Sequence, residues 1–144
     1  MKRQILVLIA IAAFATVLTP NASGQSGKTV RATVEFDFQI GERVYPAGIY
    51  RIESISVQSD NILLIRRVGD PNKQQMFLTN HSIQGKGKTP RLVFQKYGEN
   101  YFLTKIFLDT DQWGYSIGPS RRQRETEKTL ARASLETIEV RLAK

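Results

Sequence analysis

The chain has 144 residues, of which 41% are hydrophobic and 24% charged, a balance typical of one folded domain rather than a disordered protein. Cysteine is absent, which excludes disulfides, cysteine nucleophiles and thiolate metal sites. The formal net charge of +8 favours anionic partners, with solubility as the simpler explanation. No zinc-finger spacing or array of aromatic and basic residues is present, so nucleic acid is not an expected partner.

The first 24 residues have the three parts of a secretory signal peptide. Lys2 and Arg3 form a basic head, an uncharged run extends from Ile5 to Leu18, and small residues follow at 22–24. A helix of that run spans roughly 21 Å, which is shorter than the ~30 Å hydrocarbon core that a membrane anchor must cross. The sequence therefore predicts an exported protein that is periplasmic or secreted.

We expect the signal peptide to be cleaved after Gly24 during export. An intact-mass measurement on the exported protein should show a chain that begins at Gln25 and has lost 24 residues. A full-length mass would contradict this prediction. Residues 25–144 are predicted to form a single β-domain, and no later apolar run is long enough to span a membrane.

Alternation of apolar and polar residues from Lys28 to Ile40 predicts one half-buried strand, with Phe36 and Phe38 in the core. Turn residues then separate a series of short segments with strand character. These predicted strands are 43–45, 49–57, 62–67, 74–79, 91–97, 101–108 and 113–117. Residues 81–90 carry two glycines among lysines and are predicted to form a mobile loop.

Residues 120–134 lack Gly and Pro and are rich in helix formers, which predicts a helix with Ser120 as its N-cap and Gln123 at the capping-box position. Alternation at 137–142 predicts a final strand, and pairing of that strand with the first would remove an exposed edge. We therefore predict an all-β fold, mainly an antiparallel barrel, with one C-terminal helix before the final strand. A β-sandwich is the alternative.

The predicted strand 101–108 is apolar on both faces, with Phe102, Ile106 and Leu108 on one face and Tyr101, Leu103 and Phe107 on the other. A strand of this kind must be covered on both sides. The helix is the expected outer cover, and a second subunit is the alternative.

Five segments carry a resemblance: VEFDFQIG at 34–41, PAGIY at 46–50, MFLTN at 76–80, LVFQKYG at 92–98 and YFL at 101–103. Together they resemble a group of short, exported β-proteins of soil bacteria with no assigned activity. These segments are turns and core strands, so the resemblance implies an exported β-fold. It carries over no catalytic residue and no cofactor.

Glu35 and Asp37 are the candidate residues of an alternative function, a glycan-active enzyme. Alternate residues of a strand lie roughly 6.6 Å apart, within the range of glycosidase carboxylate pairs. Such pairs flank a cleft from separate elements, so a solvated strand face is the simpler explanation. His81, the single histidine, lacks the sequence context of a catalytic base. We expect no catalytic residues, cofactor or metal.

Two further surfaces are candidates for binding. Trp113 and Tyr115 are candidates for lining a sugar- or lipid-binding mouth, with packing of Trp113 under the helix as the alternative. A basic stripe is formed by residues spaced three, four and four apart, which places them along one side of a helix: Arg121, Arg124, Lys128 and Arg132. Cations in this arrangement repel one another and oppose the helix dipole, so helix stability does not explain them. A solvated helix face is the alternative.

These observations predict a non-enzymatic exported β-domain that binds a component of the cell envelope or the extracellular space. The expected partners are anionic envelope polymers, lipid headgroups or a protein. The alternatives are the glycan-active enzyme and a purely structural envelope protein.

Overall fold

The computed structural model describes residues 28–55, 61–83, 89–110, 112–130 and 135–143, so the predicted signal peptide lies outside the described residues. The described residues form eleven strands and one helix, and the main sheet is a nearly closed barrel, which confirms the predicted fold. The strands are β1 (Thr29–Val34), β2 (Phe38–Ile40), β3 (Arg43–Tyr45), β4 (Gly48–Ser54), β5 (Ile62–Arg67), β6 (Asp70–Leu78), β7 (Asn80–Ile83), β8 (Arg91–Tyr97), β9 (Asn100–Phe107), β10 (Trp113–Ser116) and β11 (Leu135–Ala143). Helix α1 (Arg121–Thr129) precedes β11.

The strand order is β3-β2-β9-β8-β11-β1-β4-β5-β6, and β2 with β9 is the one parallel pair in it. The final strand β11 pairs with β1, as predicted, with Arg31 opposite Ala143, and its other neighbour is β8. β7 follows β6 directly and pairs with β10, which pairs with β9, so the sheet returns on itself. At the seam between the end strands β3 and β6, the Tyr45 hydroxyl donates a hydrogen bond to the Gln75 side chain.

The predicted first strand is in fact two strands, β1 and β2, which lie in different parts of the barrel. The chain bends between them at Phe36, and the bend is held by the Asp37 carboxylate, which accepts a hydrogen bond from the Ala47 backbone N–H at 2.8 Å. Inward-facing and outward-facing side chains continue to alternate across this bend. Phe38 is therefore fully buried and Phe36 packs against the core, as predicted. Gln39 faces away from the core, yet it is also buried.

Six aromatic rings pack together in the core, with four of them buried and Phe36 and Tyr101 partly exposed at the edge: Phe36, Phe38, Tyr45, Tyr50, Phe94 and Tyr101. Phe38 lies in the middle, with its ring centre 5.1 Å from that of Tyr50 and 5.4 Å from that of Phe94. Burial raises the pKa of Tyr50 to about 12. The Tyr50 hydroxyl donates a hydrogen bond to the Pro46 carbonyl.

Strand β9 is buried on both faces, but the predicted assignment of its faces is wrong. The register between β8 and β9 shifts by one residue, with Thr104 as the extra residue of a β-bulge. As a result Leu103 and Ile106 both face the core, whereas Phe102 and Phe107 are buried on the outer face. Strict alternation predicts Phe102 and Ile106 on the same face of β9. Because Thr104 is an extra residue between them, they lie on opposite faces.

Polar contacts attach helix α1 to the barrel. The Ser120 hydroxyl accepts a hydrogen bond from the Gln123 backbone N–H at 3.0 Å, which confirms the predicted N-cap. The Gln123 side chain does not complete the capping box, because it donates to Gln95 on β8 at 2.9 Å. The Glu42 carboxylate, from the turn between β2 and β3, accepts from the Arg121 backbone N–H at 3.0 Å.

The outer cover of β9 is shared between α1 and other groups. Gln123 is the buried residue of the helix, and its partner Gln95 lies directly opposite Phe102. Phe107 is covered instead by the Arg91 guanidinium, 4.6 Å from the ring centre, and by β10. The helix ends at Thr129, earlier than the predicted 134, and residues 131–134 lie outside the described residues.

Two further boundaries differ from the predictions. Residues 81–83, predicted as part of a loop at 81–90, belong to β7, which pairs with β10. Residues 84–88 lie outside the described residues. Strand β6 begins at Asp70 rather than at the predicted residue 74, because the chain already reverses at Val68 and Gly69, where Gly69 has a φ of 86°. In the described part of the chain, no helix is long and apolar enough to cross a bilayer.

Candidate functional sites

The carboxylates considered for the enzymatic alternative lie in the bend between β1 and β2. Glu35 and Asp37 are both exposed, and neither belongs to a regular strand. Asp37 already accepts the Ala47 N–H, so the fold explains it. The described residues contain no group of three or more His, Cys, Asp or Glu side chains that could hold a metal ion.

The predicted aromatic pair lies on β10, whose neighbours are β7 and β9. Tyr115 packs partly buried against the core, whereas Trp113 is 54% exposed. Trp113 is paired with Ile83, which is also exposed, and its ring centre lies 6.4 Å from that of His81. Trp113 therefore lies in an exposed group of ring and apolar side chains rather than packed beneath a helix.

The predicted basic stripe is present on α1 as far as the structure describes it. Arg121, Arg124 and Lys128 are all exposed, and Arg132 lies outside the described residues. Arg121 pairs with Glu125 at 2.8 Å, a hydrogen-bonded contact that raises the pKa of Arg121. Arg124 donates to the Pro119 carbonyl at 3.1 Å. Local contacts thus account for part of this stripe.

A second basic surface crosses the outer face of the barrel. Arg31 on β1 lies directly opposite Arg51 on β4, and Arg51 lies directly opposite Arg66 on β5. We call these three residues the arginine row. Paired strands are ~4.8 Å apart, so the three guanidinium groups extend side by side from neighbouring strands. Like charges directly opposite each other destabilise a sheet, so sheet stability does not explain the row.

The charge of the arginine row is incompletely neutralised. Glu53 lies 3.2 Å from the Nη2 of Arg66 and 3.8 Å from the Nε of Arg51. One carboxylate against three guanidinium groups leaves an excess of positive charge. The side chains of Arg51 and Arg66 are 53% and 42% exposed, and Arg31 is exposed as well. The row is therefore accessible to an anionic ligand.

Sequence reasoning missed the arginine row because its members are twenty and fifteen residues apart. Each of them is an ordinary polar residue of an alternating strand. The available signal was that β1, β4 and β5 each carry an arginine on the outer face, but only the strand register aligns them.

Comparison with protein-family models, curated proteins and solved structures found no match to this chain. The resemblance to exported soil-bacterial proteins stays a prediction.

Proposed function

We propose that the protein is an exported, non-enzymatic binding protein that docks on an anionic surface of the cell envelope through the arginine row. The observation that carries this proposal is the alignment of Arg31, Arg51 and Arg66 in direct register, with Glu53 as a shared counter-charge. The arrangement costs the sheet some stability through repulsion, and an anionic ligand would relieve that repulsion.

The chemistry of the row suits oxyanions. Arginine presents a planar fork of donors that binds phosphate or carboxylate oxygens in bidentate fashion. The strands beneath the row are held by fully buried core residues, among them Ile52 and Ile65. Paired strands over a packed core fix the spacing of the three Cα atoms, so the three arginine side chains start from neighbouring positions on one face.

The arginine row is a better docking candidate than the helical stripe. Two of the three described stripe residues have local partners, namely Glu125 for Arg121 and the Pro119 carbonyl for Arg124. The helix is also attached to the barrel by polar contacts, which provide a less firm support than a paired strand. A comparison of the two surfaces is therefore the test of the proposal.

We expect the protein to sediment with vesicles of equimolar phosphatidylglycerol and phosphatidylcholine, but not with phosphatidylcholine alone. Binding should weaken as salt is raised, because screening shortens the reach of exposed charges. A cation near an anionic membrane surface contributes about 1 kcal/mol, so Arg31→Gln, Arg51→Gln and Arg66→Gln together should weaken binding roughly 100-fold.

The matched control removes the same charge from the helix. Arg121→Gln, Arg124→Gln and Lys128→Gln together should leave most of the binding intact. Both variants should keep the wild-type melting temperature within a few degrees. If the row variant binds like wild type, or if only the helix variant loses binding, the arginine row is not the docking site.

A further inference from the structure

Apolar side chains lie beside the arginine row on the outer face of β5 and β6, with Ile55 just past the end of β4 and Glu53 of β4 opposite Leu64. Leu64 is directly opposite Met76, and Ile62 is directly opposite Leu78. Ile55 extends the second pair, because its backbone N–H donates to the Ile62 carbonyl at 3.2 Å. We call these five residues the apolar rows.

Three residues of the apolar rows are exposed, and Ile62 and Leu64 are partly buried between them. Met76 is 65% exposed, Leu78 is 76% exposed and Ile55 is 45% exposed. The outer face of an antiparallel sheet is ordinarily polar, and contiguous apolar side chains on such a face mark an interaction surface. The face therefore carries an apolar area that the fold itself does not use.

The charged and apolar rows form one continuous surface. Arg66 and Leu64 are alternate residues of β5, so they project from the same face roughly 6.6 Å apart. On the far side of the arginine row, Ile49 and Val68 are 41% and 48% exposed and are joined by a backbone hydrogen bond of 2.8 Å. Apolar side chains thus border the guanidinium groups on both sides.

The combination of charge and apolar area decides between possible occupants. A second copy that used the same face would bring two arginine rows near each other, and their like charges oppose such a contact. A soluble acidic polymer would pair with the arginines but leave Met76 and Leu78 in water. An anionic bilayer offers phosphates to the arginines and an acyl boundary to the apolar side chains, so it uses the whole face.

We propose that the arginine row and the apolar rows form one interfacial docking face for anionic phospholipid bilayers. The guanidinium groups bind headgroup phosphates, while Met76, Leu78 and Ile55 enter the boundary between headgroups and acyl chains. This inference rests on the proposed function, because it uses the same arginines. It adds the class of partner and the orientation of the barrel on the membrane, with β4, β5 and β6 facing the lipid.

The first test removes the apolar contact and keeps the charge. Met76→Ser with Leu78→Ser should weaken binding to the anionic vesicles at least tenfold, and leave binding to soluble dextran sulfate unchanged. The control is Val44→Ser with Leu135→Ser, which changes two apolar residues on β3 and β11 that are about half exposed, at 50% and 54%. The control should bind both probes like wild type.

The second test reports where the face lies in the bilayer. Because the chain has no cysteine, Met76→Cys provides a unique site for an environment-sensitive fluorophore. Its emission should shift to the blue on anionic vesicles, as expected for transfer out of water. The same label on Glu127→Cys, on the exposed surface of α1, should keep its aqueous spectrum.

The outcomes separate this inference from the proposed function. If the serine variant binds vesicles like wild type and the label at position 76 stays in water, while the arginine variant loses binding, the lipid inference is overturned and the proposed function stands. Equal loss on vesicles and dextran sulfate by the serine variant also overturns it, since apolar insertion plays no part with a soluble polyanion. If the arginine variant binds like wild type, both fail.

Discussion

Phe38→Ala should destabilise the barrel by about 3–5 kcal/mol, the range measured for removing a fully buried phenylalanine ring. The ring is completely buried and contacts the rings of Tyr45, Tyr50 and Phe94. Its removal would leave a cavity at the centre of the aromatic core. Since domains are typically stable by only about 5–15 kcal/mol, we expect a large shift of the midpoint in urea unfolding.

Phe36→Ala provides the comparison for this measurement. Phe36 is partly exposed and lies at the edge of the same cluster, stacked on Tyr101 at 4.0 Å. Its replacement should therefore cost less than that of Phe38. A cost below about 1 kcal/mol for Phe38→Ala would show that the ring is not in the core, because even smaller core truncations usually cost that much.

Gly114→Ala should destabilise the barrel by about 1–3 kcal/mol, the usual effect of overpacking, and by more if β10 detaches. A methyl group at this position would overlap the Phe107 ring and lie 2.8 Å from the Ile106 carbonyl oxygen. β10 holds β7 to β9, so its displacement would open one side of the barrel. Thermal unfolding measures the loss, and the fluorescence of the neighbouring Trp113, the single tryptophan, reports on β10 itself.

Two variants control this experiment. Gly118→Ala introduces a methyl group with no atom within 4 Å, so its effect should stay within about 0.5 kcal/mol. Phe107→Ala combined with Gly114→Ala should cost less than the sum of the two single changes, because the clash is removed. If Gly114→Ala proves as stable as Gly118→Ala, β10 does not lie against Phe107 in solution.

Local patterns sufficed to predict most of the strands. β5 and β8 have the bounds that apolar residues and flanking turns predict, and the Ser120 cap marks the start of the helix. The strand at 80–83 was not predictable in this way. The segment Asn-His-Ser has little strand character of its own, and it becomes a strand because its backbone pairs with β10.

The features that depend on pairing between distant strands could not be predicted. The bulge at Thr104 is a property of the β8–β9 register, and it reverses the faces that alternation assigns to β9. The arginine row likewise exists only when β1, β4 and β5 are aligned. Of the candidate sites, the helical stripe and Trp113 could be proposed from the sequence, because each depends on residues close together in the chain.

The position of β11 has a consequence for how the protein folds. This strand lies between β8 and β1, yet it is synthesised after every other described strand. Its partner Arg31 precedes Ala143 by more than a hundred residues, a contact of very high sequence separation. Such contacts must overcome a large loop-closure entropy, so folding should be slow, on the order of milliseconds to seconds. The barrel therefore cannot close between β8 and β1 until the last residues of the described chain have been synthesised.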